Sequence, residues 1–209
     1  MELSQFKKWT SFFLVLLGAE LFTVSAQAVF FVEPLVNYDS ATNTADTVAT
    51  TGTPSFDVSS KATGFSYGAR LGYHFGIPMF IAAEYLGESE NVKYNNSALN
   101  LPNTTATGTA VSALIGFHLN RFRFIFGYSP TDAFTVKGTN GGTDSKFTGS
   151  NVKVGIGIWL HRHVTLELDY VVPTYNKVDT GSGSVSTSTI YSKFDSNILR
   201  AGLTFPIFF

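Results

Sequence analysis

Eight stretches of this chain alternate, residue by residue, between large apolar side chains and small or polar ones. They are Phe30 to Tyr38, Phe65 to Phe75, Met79 to Glu88, Thr107 to His118, Phe122 to Tyr128, Asn151 to Leu160, Val164 to Val172 and Asn197 to Phe209. A period of two marks a strand, whose successive side chains leave on opposite faces. The connections alternate as well. Gly76-Ile77-Pro78, Leu119-Asn120-Arg121 and His161-Arg162-His163 are short turns, whereas 39–64, 89–106, 131–149 and 173–195 are long and rich in Thr, Ser, Asn and Gly. Structureless segments of that length are uncommon inside compact soluble domains. Short turns at one end and long loops at the other are the arrangement of transmembrane barrels, and an even strand count brings both chain ends to the short-turn side.

The two faces of each stretch indicate which side meets lipid. The seventh sets Val164, Leu166, Leu168, Tyr170 and Val172 against Thr165, Glu167 and Asp169, and the sixth sets Val152, Val154, Ile156 and Ile158 against Lys153, Gly155 and Gly157. Glycine recurs on the polar side, at Gly68, Gly72, Gly116, Gly127, Gly155, Gly157 and Gly202. Interior glycine weakens a strand unless something must approach closely. An eight-stranded interior, just wide enough for side chains to fill, supplies that reason. The apolar side carries aromatics near strand ends, among them Tyr38, Phe65, Phe75, Phe122 and Tyr128, which fit the two interfacial girdles of a membrane barrel. Charged residues are 14% and aromatics 15% of the chain, yet past residue 28 no apolar run approaches the ~20 residues of a spanning helix. The pattern predicts an all-β fold: an eight-stranded antiparallel up-and-down transmembrane β-barrel with four long external loops and three short periplasmic turns.

Lys7 and Lys8 precede an apolar run from Phe12 to Gly18 that continues through Leu21 to Val24, and Ala26-Gln27-Ala28 follows. This is the charged, apolar, small-x-small order of a secretory signal peptide. Residues 1–28 are therefore expected to be removed, by cleavage after Ala28 or after Ala26, leaving 29–209 as the barrel. The formal net charge is −1, with no basic stripe for nucleic acid. The chain has no cysteine, which excludes disulfides and thiolate metal sites.

The last stretch alternates through Leu199, Ala201, Leu203, Phe205 and Ile207 to Phe209. It resembles the closing strand of bacterial outer-membrane β-barrels, although Pro206 interrupts the pattern. Residues 29–209 as a whole resemble the small outer-membrane β-barrel superfamily, the OmpA/OmpX-like or porin-family proteins. The resemblance implies location in the cell outer membrane, contact with its lipids and lipopolysaccharide, and a monomer. It also implies insertion by the barrel-assembly machinery, which would read Leu203, Phe205, Ile207 and Phe209.

On the polar faces, Glu33, Glu84, Glu167 and Asp169 are matched by Arg70, Arg123, Lys153 and Arg200. Unpaired charges in a water-poor lumen are costly, and paired, hydrogen-bonded ones can be held. These eight are expected to form a structural salt-bridge network. The four histidines, His74, His118, His161 and His163, all fall at the short-turn end. Loop serines at the other end then lack a base, and His161 with His163 makes no metal site without a further ligand. No catalytic residues, metal or cofactor are expected. The leading expectation is a non-catalytic barrel with an envelope-structural and surface-interaction role, its long loops contacting an external ligand or a host or cell surface. The alternative is a narrow OmpW- or porin-like channel for small or apolar solutes. A third reading, an outer-membrane lipid hydrolase, is opposed by the histidine positions.

Overall fold

The computed structural model describes residues 29–47, 57–75, 78–95, 102–138, 142–181 and 183–209. Seven long strands follow in order: β1 (Val29–Thr47), β2 (Asp57–Phe75), β3 (Met79–Tyr94), β4 (Thr104–Leu119), β5 (Phe122–Val136), β6 (Ser145–His161) and β7 (Val164–Asp179). A short strand β8 (Ser184–Ser186) and a single helical turn α1 (Thr187–Ile190) lead into β9 (Tyr191–Thr204), and β10 (Ile207–Phe208) ends the chain. Each long strand pairs antiparallel with the next, and β9 pairs with both β7 and β1. The result is a ring of eight strands that closes where β9 pairs with β7, from Thr165 opposite Thr204 to Val171 opposite Ile198. β10 lies along β1 after the break at Phe205 and Pro206, with Phe31 opposite Phe208. Proline, which cannot donate to a ladder, is thus accommodated at the rim.

The large apolar side chains of the alternating pattern point out of the ring. Val36, Tyr67, Leu71, Tyr85, Ile115 and Leu168 are all exposed on its outer surface. The polar partners point in. The expected strand positions are occupied, but the strands are longer than the alternation indicates. Segments 39–47, 57–64, 89–94, 131–136, 145–149 and 173–179 continue the ladders instead of belonging to loops. Backbone pairing does not need an apolar face, and the Thr and Ser of these segments suit a pleated surface. Their outward positions are polar: Ser40 and Thr42 on β1, Lys61 and Thr63 on β2, Ser89, Asn91 and Lys93 on β3. The apolar belt therefore ends partway along each strand, and most ladders continue beyond it as a collar, while the β7–β9 ladder stops at Val171 and Ile198.

At the short-turn end, Asn120 adopts a positive φ of 60° in the β4–β5 turn, a conformation Asn tolerates better than most residues. Arg162 and His163 turn β6 into β7. Gly76 and Ile77, expected in the β2–β3 turn, lie outside the described residues, as does the expected signal segment 1–28.

Candidate functional site

The interior is built in layers, and the register of the strands explains each. At the short-turn end Phe31, Phe80, Ala82, Leu114 and Ile125 form a buried apolar floor. Phe31 and Phe80 meet edge to face with ring centroids 5.7 Å apart. Each such buried ring contributes roughly 1.5–3 kcal/mol. His74 and His118 stand beside them, 4.4 Å apart between centroids, and the Trp159 indole donates to His118 Nδ1 at 3.2 Å. The expected placement of these histidines at the short-turn end matches the structure, and His74 and His118 turn inward.

Above the floor lies the charged layer. The structure places all eight lumen residues singled out from the sequence on the inner face, each buried. Glu33, Arg70 and Glu84 are direct cross-strand neighbours on β1, β2 and β3. Arg70 reaches Glu33 at 2.8 Å, Glu84 at 2.6 Å and Glu167 at 2.7 Å. Arg123 pairs with Glu33 at 2.6 Å and with Glu167. β1 and β5 stand four strands apart in a ring of eight, so the Arg123–Glu33 pair crosses the full width of the barrel. Lys153 reaches Glu84 at 2.5 Å and Asp169 at 3.7 Å. The glycines make room for these long side chains: Gly157 lies between Arg123 and Glu167 in register, Gly155 is opposite Asp169, and Gly127 is opposite Lys153. Arg123 also stacks over Phe80 and Trp159, 5.7 and 5.8 Å from their ring centroids, which ties the charged layer to the floor.

Seven of the eight form one connected network, and Arg200 belongs to a second storey. It pairs with Asp39 at 2.9 Å and Glu88 at 2.6 Å. Asn37 donates to Ser66 at 3.1 Å, and Ser66 donates to Asp39 at 3.2 Å. Asn151 donates to Asp132 at 2.9 Å. The expected balance of four charges of each sign is therefore corrected. Among the described residues, the buried carboxylates also include Asp39, Glu88, Glu90 and Asp132, giving eight against four buried cations. Asp39, Glu90 and Asp132 fall in the segments 39–64, 89–106 and 131–149 that the alternation indicates as loops, whereas Glu88 ends the third alternating stretch. Asp132 escapes the alternation for a second reason. The register shifts between Ser129 and Asp132, where Ser129 Oγ donates to the carbonyls of Val111 and Thr131 at 2.7 and 2.8 Å. A bulge of this kind re-aims the side chains beyond it, so the inward set passes from odd to even numbers.

The third layer is apolar, formed by Ala41, Ala62, Val92, Ala106, Val171 and Ile198. Above it, at the long-connection end, is a cavity of about 250 Å³ walled by Phe134, Phe147, Tyr175, Tyr191 and Phe194, with Glu90 in its lining. The rings touch: Phe147 to Phe194 at 5.4 Å, Tyr191 to Phe194 at 5.5 Å and Tyr175 to Phe194 at 5.8 Å. Glu90 is only 3% exposed, and its Oε1 has no hydrogen-bond partner among the described residues.

Glu90 lies beyond the apolar belt, where β3 presents Ser89 and Asn91 outward. Burial, and then the Glu88 and Asp39 carboxylates, push its carboxyl up to about 8. A carboxyl raised in the folded state holds a proton that the unfolded chain releases, so stability falls as pH rises from near 4.5 to about 8. The slope is at most about 1.4 kcal/mol per pH unit. Glu90→Gln removes this dependence. In urea unfolding of the refolded protein, the variant is expected to gain stability over wild type as pH rises from 5 to 8. A difference that stays constant across that range would contradict the assignment.

No curated protein sequence matches the chain. Among solved structures, the attachment invasion locus protein Ail of Yersinia pestis is similar at 12% identity, with 85% of this chain and 98% of Ail covered and a TM-score of 0.50. AlkL, an outer-membrane protein determined in DMPC bilayers, is similar at 15% identity, with 87% and 90% covered and a TM-score of 0.50. At these identities the likeness concerns the fold alone. The sequence itself carries the assignment further, because the family described as "Outer membrane protein beta-barrel domain" matches residues 14–203. With its closed ring of eight strands and its outward apolar belt, the chain belongs to the outer membrane protein beta-barrel domain family.

Proposed function

We propose that this protein is a non-catalytic outer-membrane barrel with a closed lumen, anchored in the envelope and acting through its outer end. The observation that carries this reading is the charged layer. Arg70 and Arg123 join β2 and β5 to carboxylates on β1, β3 and β7, so ion pairs reach from wall to wall between two apolar layers. Gly72, Gly116, Gly127 and Gly157, which would widen an empty lumen, are here covered by the side chains of Phe31, Phe80, Lys153 and Arg123. The long-connection end faces outward, and its polar collar lifts the loops clear of the lipid to meet an external ligand or a neighbouring surface. Leu203, Phe205, Ile207 and Phe209 are the residues through which assembly machinery would take up the closing strand. The non-catalytic reading rests on the histidines, all of which lie at the end away from the loops.

Single-channel recording in a planar bilayer tests the closed lumen. Protein shown to be folded by its heat-modifiable gel mobility is expected to give no discrete openings. Steady openings would replace this reading with a narrow channel for small solutes.

A further inference from the structure

We propose that the aromatic cavity at the outer end is a binding site for a small organic ammonium ion, held by Glu90 and the surrounding rings. This goes beyond the surface role above and does not depend on whether the lumen conducts. Three independent features converge on the cavity.

The first is its walls. Phe134, Phe147, Tyr175, Tyr191 and Phe194 line one space. The negative face of an aromatic ring attracts a cation, and clusters of such rings are the recurrent means of holding alkylated ammonium groups. The volume of about 250 Å³ lies just under the roughly 300–1,000 Å³ of ligand pockets, which fits a small molecule and not a peptide.

The second is the orphaned acceptor. Glu90 Oε1 is buried and lacks a hydrogen-bond partner among the described residues. A buried acceptor without a donor costs about 1–3 kcal/mol. An N–H⁺ group in the cavity would remove that cost, and a purely apolar guest would not.

The third is the sign of the charge beneath. Among the described residues, Asp39 on β1, Glu88 and Glu90 on β3 and Asp132 on β5 face one buried cation at this level, Arg200 on β9, which Asp39 and Glu88 already share. Tyr94, Tyr175 and Tyr191 complete the titratable groups of the cavity. Lys153 is committed lower down to Glu84 and Asp169. The second storey therefore has an excess of carboxylates below an aromatic cup, and a cation entering the cup meets Glu90 in its lining and the field of the others from beneath. An anion or an uncharged alcohol would not gain from it.

The proton held by Glu90 gives the site a recognisable signature. An ammonium guest favours the carboxylate, so binding releases that proton, and affinity rises with pH up to about 8, where Glu90 titrates in the free protein.

The test uses the refolded chain in nonionic micelles, with empty micelles as the blank. Calorimetric titration compares benzylammonium with its neutral counterpart benzyl alcohol between pH 6 and 8. Benzylammonium is expected to bind roughly tenfold tighter than the alcohol at pH 8, with affinity increasing across the range. In Glu90→Gln the preference falls and its pH dependence disappears, the remaining preference coming from the rings and the carboxylates below. In Phe194→Ala both ligands weaken, because the wall is lost. Equal affinity for the two ligands in wild type would overturn the proposal in favour of a plain apolar pocket. Absence of saturable binding of benzylammonium at millimolar concentration would overturn it outright. The wild-type comparison stands even if a variant folds poorly. Because none of these readings measures conductance, failure here is distinct from failure of the closed-lumen proposal.

Discussion

Arg70→Ala is expected to lower the stability of the barrel by about 3–5 kcal/mol, the cost of leaving buried charges without their partner. Arg70 is the hub of the charged layer, with Glu33 at 2.8 Å, Glu84 at 2.6 Å and Glu167 at 2.7 Å. Truncation leaves Arg123 and Lys153 to serve those three carboxylates as well as Asp169. None of them can reach water without opening the ring. The loss is a matter of charge excess, so it is partly reversible by design. Adding Glu167→Gln to Arg70→Ala removes one negative charge and is expected to recover part of the stability. Urea unfolding of the refolded proteins measures both steps. A single variant within about 1 kcal/mol of wild type would show that water enters the layer and that the plug is not dry.

Gly68→Ala is expected to cost about 3 kcal/mol, at the upper end of overpacking losses. Propensity alone predicts the opposite, since glycine inside a strand is less favourable than alanine by roughly 0.5–1 kcal/mol. Space decides the sign. A Cβ added at Gly68 would stand inside the contact radius of the Tyr85 carbonyl oxygen and 3.1 Å from Leu86 Cα. Both are backbone atoms of β3, which cannot yield without spreading the β2–β3 ladder. Gly87 is the matched control on the outer face. The atoms nearest to an added Cβ there belong to the Tyr67 side chain, at 3.6 Å, so Gly87→Ala is expected to be neutral or to stabilise by up to about 1 kcal/mol. The pair is compared by urea midpoint and by heat-modifiable mobility. Equal behaviour of the two variants would rule out crowding as the reason for glycine at position 68.

The family, the strand count and the inner set Glu33, Arg70, Glu84, Arg123, Lys153, Glu167, Asp169 and Arg200 were legible in the sequence for one reason. Across the apolar belt the two faces of each strand meet opposite environments, and a period of two then sorts every residue as inward or outward. The glycines added a second signal, because a narrow interior filled by arginines needs neighbours without side chains, as at Gly157 between Arg123 and Glu167. Past the belt that contrast vanishes. Both faces of 39–47 or 89–94 carry polar residues, so the alternation falls silent while the hydrogen-bonded ladder continues. Asp39, Glu90 and Asp132 were hidden there, and the bulge at Ser129–Asp132 reversed the parity that would otherwise have exposed the last of them.

Only the tertiary structure decided which charges meet. The sequence places Arg200 and Arg70 in the same inner set, but ring closure of β9 on β1 sends Arg200 to Asp39 and Glu88, one storey above Arg70. The aromatic cup is likewise a product of closure, since Phe134, Phe147, Tyr175, Tyr191 and Phe194 come from four strands and share no local motif. Sequence by itself determined which face each residue takes within the lipid belt, because facing is a local property of the pleat. Depth and partnership are set by the stagger of the closed ring, and no single strand carries that information.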